Sequence, residues 1–275
     1  MTHLIDDLNN PEVVSVIDDV SFWSAPFGIR LLDVVRYRRN MKVLDIGFGS
    51  GFPLIELSMR LGNSSKVYGI DPWKAGIERV RKKIRIGELS NVEVVEGQAE
   101  DLPFDDNYFD LIVSNNGINN VADLERTIEE CSRTLRSGGQ FVFTFNTDKT
   151  FTEFYNVYRD IMEQHSMQNC VQKLSDHIYS KRKPLSEFIE RLKANKFEIV
   201  SIDEDAFSYR FSDATAMLNH LFMKMAFIPS WKEIVPEDRR EVVFQKIEEK
   251  LNTASEKMEG FSMQVPFVTL DCCRR

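Results

Sequence analysis

From residue 42 to residue 146 the chain alternates between two hydrophobic periods. Lys42-Val43-Leu44-Asp45-Ile46 is a short apolar run of β-formers that stops at glycine, which predicts a buried strand. Residues 52–61 then carry apolar side chains at helical spacing, with Pro53 suited to the first turn and Gly62 to the end. Strands are predicted at 66–71, 91–97, 109–114 and 140–146. A helix at 73–88 carries Lys74, Arg79, Arg81, Lys82, Lys83 and Arg85 on a solvated face, and a second at 121–135 is closed by Arg136-Ser137-Gly138-Gly139. Strands and helices in strict alternation predict an α/β fold around a mainly parallel sheet. Beyond residue 150 the periodicity predicts helices at 150–168, 183–195, 213–228 and 236–258, with strands at 197–202 and 265–273. Before residue 40 it predicts helices at 11–20 and 29–37, around a stretch containing Phe22, Trp23 and Phe27. Those rings are expected to pack in a core, or else to cover a ligand.

The first strand leads into Gly47-Phe48-Gly49-Ser50-Gly51 and then a helix. Glycine lets backbone approach a ligand that a Cβ would block, and the helix N-terminus adds free N–H groups. The spacing is not the dinucleotide pattern G-x-G-x-x-G, because the third glycine would fall on Phe52 or on Leu54. No Gly-Lys-Ser/Thr follows, so the loop is not a Walker loop. About twenty residues on, the second strand ends in Asp71-Pro72-Trp73. An acid there accepts hydrogen bonds from both hydroxyls of a ribose, or else caps the next helix. The fourth strand ends in Asn115-Asn116-Gly117-Ile118-Asn119-Asn120. Asn and Gly suit a turn, but this loop is expected to face the glycine loop where strand order reverses, the place where open α/β sheets bind ligands.

Taken in order, the glycine loop, Asp71, Gln98-Ala99-Glu100-Asp101-Leu102-Pro103-Phe104, Phe109-Asp110 and the Ser137-Gly138-Gly139 turn resemble class I S-adenosylmethionine-dependent methyltransferases. The resemblance runs from about residue 42 to residue 145. It implies a three-layer Rossmann-like fold with a seven-stranded, mostly parallel sheet, an antiparallel last strand and added lid helices. It implies S-adenosylmethionine as cofactor, held by Asp45, Gly47, Phe48, Gly49, Gly51, Asp71, Pro72, Trp73, Gln98, Ala99, Glu100 and Asn115. In that family a backbone N–H and a neighbouring acceptor read the adenine edge, positions matched here by Ala99 and Glu100. Phe48 is a departure, since many relatives carry a small residue there. Trp23, Phe27, Asn116 and Asn119 are candidates for the acceptor side. A single domain over 1–275 is expected, with a core at about 40–205 and 262–275, a cover at 1–38 and a helical lid, or dimer surface, at 206–260.

Composition adds exclusions. The 275 residues are 43% hydrophobic, enough for a large core, and the formal net charge is -8. An acidic chain is a poor default partner for nucleic acid or anionic membrane. No apolar run reaches the roughly 18 residues of a membrane span. No basic n-region opens the chain, so a reduced cytoplasmic setting is expected, in keeping with four cysteines that show no C-x-x-C spacing. No metal site is expected. The implied partner is a small-molecule methyl acceptor. Because a sulfonium already makes its methyl electrophilic, the chain is expected to align the reactants, with a base needed only for some acceptors. His165, His177, His220, Tyr155, Tyr158 and Tyr209 are candidate bases, each equally readable as structural. Cys272 and Cys273 are adjacent in a predicted strand and should point to opposite faces, against a paired thiol chemistry. Two alternatives stand: a scaffold that binds cofactor without turnover, and a nicotinamide oxidoreductase.

Overall fold

The structure, a computed structural model, describes residues 7, 9–20, 22–256 and 260–275, with backbone alone for 16–20. Residues 1–6, 8 and 21 of the expected cover and 257–259 of the expected lid lie outside the described residues. Seven strands form one sheet: β1 (Lys42–Ile46), β2 (Lys66–Asp71), β3 (Val92–Glu96), β4 (Phe109–Asn115), β5 (Leu135–Asn146), β6 (Phe197–Phe211) and β7 (Phe261–Arg274). Their order is β3-β2-β1-β4-β5-β7-β6. β1 to β5 pair in parallel, and β7 runs antiparallel to β5. The strand order therefore reverses between β1 and β4. This is the Rossmann-like methyltransferase architecture, including its antiparallel last strand.

The central strands are covered on both faces, which is why they read as continuous apolar runs. All seven residues of β4 are buried. Alternate residues go to opposite cores. Val43, Val67, Leu111, Val113 and Val142 meet one set of helices: α2 (Ser24–Val34), α3 (Leu54–Leu61) and α4 (Lys74–Ile86). Leu44, Ile46, Ile70, Ile112, Phe141 and Phe143 meet α5 (Leu124–Thr134) and α8 (Leu185–Ala194) on the other face. Asp110 opens the apolar β4 because its carboxylate is employed. Its Oδ2 accepts the Lys42 N–H at 2.7 Å, and its Oδ1 lies 2.6 Å from Arg136.

The chain divides into two compact units. The first, through Asn146 and then Pro184–Glu204 and Phe267–Arg275, holds the sheet core just described, together with α1 (Pro11–Val20). The second takes Thr147–Lys183 and Asp205–Pro266. It contains α6 (Thr152–Gln164), α7 (Gln168–Lys181), α9 (Ala214–Asn219), α10 (Leu221–Ala226), α11 (Ile228–Glu233) and α12 (Arg240–Ser255). Residues 147–183 of the expected core fall in the second unit, where α6 packs with the later helices through its aromatic stripe. Trp231 is fully buried and stacks on Phe154 at 4.1 Å, while Tyr158 meets Phe244 edge-on.

Other differences are local. The helix predicted at 150–168 ends at Gln164, where Ser166 turns left-handed with φ of 55°. The helix predicted at 213–228 is broken at His220, whose ψ of 130° is extended. Pro53 stands just before α3, and Gly62 ends that helix with φ of 63°. Cys272 is buried and Cys273 half-buried, and all four cysteines are free. Burial pushes the Cys272 thiol up, away from the reactive thiolate. Among the described residues no helix is long and apolar enough to cross a membrane.

Candidate cofactor site

Where strand order reverses, two backbones touch. A Cβ on Gly47 would lie 3.1 Å from the Gly117 Cα, and a Cβ on Gly117 only 2.8 Å from the Ile46 carbonyl oxygen. Glycine on both sides lets the loops after β1 and β4 close against each other. Ser114 Oγ donates to the Ile46 carbonyl at 2.9 Å, fixing the same junction. Beside it opens a cavity of about 410 Å³, lined by the strand ends and their loops. Of the expected residues, Gly47, Gly49, Asp71, Pro72, Gln98, Ala99 and Glu100 line it. Ile46, Ile70, Gly117, Asn120, Val121 and Ala122 line it as well. Gly49 has φ of 55°, and a Cβ there would meet nothing within 4 Å.

Asp71 closes the rim. Its Oδ2 accepts the Gly49 N–H and its Oδ1 the Trp73 N–H, each at 2.8 Å. Asp71 is therefore not the cap of α4, whose N-cap position is Trp73. Burial raises the Asp71 pKa, and the two N–H donors pull it back. Each carboxylate oxygen still has a lone pair for a further donor. Lys83 reaches back to the Ser50 carbonyl at 2.9 Å, so this member of the basic face braces the glycine loop.

The other expected cofactor residues sit away from the lining. Phe48 is buried in the core beneath β2, where a Cβ on Gly69 would strike its ring. Gly51 is glycine for packing, since a Cβ would lie 3.0 Å from Val80 and its φ is 116°. The Trp73 ring lies against Gly76 on α4. Asn115 donates to the Ser24 carbonyl and accepts from Thr144, each at 3.0 Å, tying α2 to the sheet end. On the acceptor side, Phe27 is buried against Trp23 and Phe267. Asn116 and Asn119 serve a local network. Asn119 Nδ2 donates to Asn116 Oδ1 at 2.9 Å and to Asn146 Oδ1 at 2.7 Å. Glu100 Oε1 accepts from the N–H groups of Ala122 and Asp123 at 2.7 and 3.1 Å, holding the start of α5. Among the described residues the neighbouring Ala99 N–H bonds to nothing, and Gln98 is exposed.

Asp45 is the unusual acid of this region. It is fully buried, and neither carboxylate oxygen has a hydrogen-bond partner. Burial first, and then the charge of Asp71, push its pKa well up; the Leu54 N–H opposes this without reaching hydrogen-bond geometry. An acid with a raised folded-state pKa holds its proton more tightly folded than unfolded. The stability it contributes is present at low pH and is lost as pH climbs from the ordinary 3.8 through the raised value. Without cofactor, Asp45→Asn should therefore melt higher than the native protein at alkaline pH and show a flatter pH profile. Melting curves from about pH 5 to about pH 9 check this; parallel loss in both proteins would place the titration elsewhere.

The candidate bases all fall in the second unit, and none lines the cavity. His165 is exposed. Burial, with help from Arg182 and Lys181, lowers His177 to about 4, and burial lowers His220. Burial raises Tyr158, and Tyr209 to about 12. Among the described residues no group of three or more His, Cys, Asp or Glu is placed to hold a metal.

Residues 44–143 match the family described as methyltransferase domain. That segment holds the glycine loop, Asp71 and most of the cavity lining. The chain is 36% identical over 131 residues to the ubiquinone/menaquinone biosynthesis C-methyltransferase of Idiomarina loihiensis, covering 46% of this chain and 52% of that protein. The chain spans about half the length of the curated relatives it matches. In fold, geranyl diphosphate C-methyltransferase from Streptomyces coelicolor, solved with S-adenosyl-L-homocysteine, superposes with a TM-score of 0.57 at 16% identity. That match covers 98% of this chain and 87% of that one. The [4+2]-cyclase SpnF superposes with a TM-score of 0.54 at 16% identity, covering 90% and 80%.

Proposed function

We propose that this protein transfers the methyl group of S-adenosylmethionine to a small-molecule acceptor. The observation that carries the reading is the Asp71 carboxylate at the rim of a cavity into which Gly49 presents no side chain. The residues present fit the cofactor. Asp71 would accept from the ribose hydroxyls. Gly47 and Gly49 give room for backbone approach. Ile46, Ile70 and Val121 are apolar walls for a base. With Glu100 Oε1 employed, the adenine edge falls to the free Ala99 N–H and the Gln98 side chain. When bound, the cofactor supplies an electrophilic methyl, so the protein's own work is alignment and exclusion of water.

The curated relatives are named for C-methylation in ubiquinone and menaquinone biosynthesis, which makes an electron-rich quinol ring carbon the first acceptor to try. The fold alone does not decide turnover, since a [4+2]-cyclase shares it. Methyl-labelled cofactor, incubated with the full chain and a panel of quinols, phenols, amines and organic acids, separates the readings. Label in a small-molecule product supports methyl transfer. Cofactor binding with no labelled product across the panel supports a binding scaffold instead.

A further inference from the structure

Among the described residues β6 ends the sheet, with no strand beyond it. It is fifteen residues long, whereas β3 at the other end has five. An edge strand presents unpaired N–H and C=O groups to any second strand that comes beside it. The part of β6 in the first unit runs from Phe197 to Glu204. One face of this part is covered: Phe197 belongs to the core that includes Phe188 and Leu192 of α8, and Ile199 packs against it. Alternate residues face the other way. Of these, Val200 is 53% exposed and Ile202 39%. Bare apolar side chains thus stand in the middle of a free edge, where sheets ordinarily place charge, proline or a covering element.

Charges of opposite sign flank that apolar stretch. Lys193, Lys196 and Arg275 line a groove of about 770 Å³ at the start of β6, together with Ile189, Ile199 and Ile202. The Arg275 N–H donates to the Lys196 carbonyl at 2.9 Å, and its guanidinium lies 3.3 Å from Glu198. At the other end stand Asp203 and Glu204, both exposed. Lys196 is exposed too, and among the described residues neither it nor Glu204 forms an ion pair. A strand that is basic where it begins and acidic where it ends complements a copy of itself running the opposite way. With Val200 opposite Val200 of a second copy, Lys196 comes beside the second copy's Glu204, and two-fold symmetry makes that contact twice. A slip of two residues one way sets Glu198 against Glu204, like against like, and the other way leaves Lys196 against Ile202. Parallel pairing in register sets every charge beside its own sign.

We propose that the free edge of β6 at 197–204 is a homodimer interface, where a second copy continues the sheet by antiparallel pairing centred on Val200. The surface lies within the first unit, apart from the helices expected to form a dimer surface, and does not depend on the methyl-transfer reading. Analytical ultracentrifugation of the full-length protein should show a reversible monomer–dimer equilibrium. Val200→Lys sets like charges directly opposite each other at the centre, and should raise the dimer dissociation constant about tenfold or more. Val200 is exposed, so the melting temperature of the monomer should stay close to native. Should that variant not fold, the flanking charges carry the test. Lys196→Glu and Glu204→Lys should each weaken the dimer, and the two together should restore it to within about threefold of native. A native protein that stays monomeric at every concentration, a dimer that folded Val200→Lys leaves unchanged, or a double charge swap that recovers nothing would overturn the assignment.

Discussion

Asp71→Ala is expected to weaken S-adenosylhomocysteine binding by about a hundredfold or more. Two hydrogen bonds from ribose hydroxyls to a carboxylate contribute roughly 1.5–3 kcal/mol each, and about 1.4 kcal/mol is one decade of affinity. The variant also strands the Gly49 and Trp73 N–H groups that Asp71 now accepts. Loss of the Gly49 bond releases the loop that shapes the cavity, so the effect should exceed the hydroxyl contacts alone. Asp71→Asn should behave more like alanine than like the native residue. An amide has one acceptor oxygen, and its NH₂ would face one of the two N–H donors. Simple helix capping predicts otherwise, because asparagine caps nearly as well as aspartate. Titration calorimetry on both variants decides it, and an alanine variant that binds within about threefold of native would remove Asp71 from the ribose.

Gly49→Ala should separate backbone cost from ligand contact. At φ of 55° an alanine costs about 1–2 kcal/mol of fold stability. Gly62 is a control for fold cost alone: a Cβ there likewise meets nothing within 4 Å, and its φ of 63° with ψ of -175° lies in a region nearly restricted to glycine. Gly62 ends α3 and does not line the cavity. Both variants should lose stability, with Gly62→Ala losing at least as much. Only Gly49→Ala should lose cofactor affinity, by roughly five- to a hundredfold, the range for forcing one extra carbon into occupied space. Thermal melting and calorimetry on the pair give the comparison. Equal cofactor affinity in the two would mean that the open space at Gly49 is not where the ligand lies.

The parallel half of the fold was legible in the sequence for a physical reason. Strands buried on both faces leave unbroken apolar runs, and glycine marks where β1 and β3 stop. Gly47, Gly49 and Asp71 were legible as neighbours because glycines after β1 and an acid at the end of β2 meet at the carboxyl ends of adjacent parallel strands, where they line one cavity. Gly51 and Phe48 share that motif for packing reasons, which spacing does not distinguish. The asparagine loop shows a limit of composition: amides that bind one another, as Asn116, Asn119 and Asn146 do, look the same as amides that bind a ligand. Ala122 and Gly117 join the cavity only because β4 pairs beside β1. The helical unit was least legible. α7 buries only Cys170 and Leu174, too few for a periodic stripe, and α9 to α11 are each six residues long.

The central claim, that the cavity at the reversal of strand order holds an S-adenosyl cofactor, is tested most directly by calorimetry of the full-length protein against S-adenosylhomocysteine and NAD. Saturable binding of S-adenosylhomocysteine at one site per chain, with no response to NAD, is the predicted result. Saturable NAD binding with no response to S-adenosylhomocysteine would contradict it.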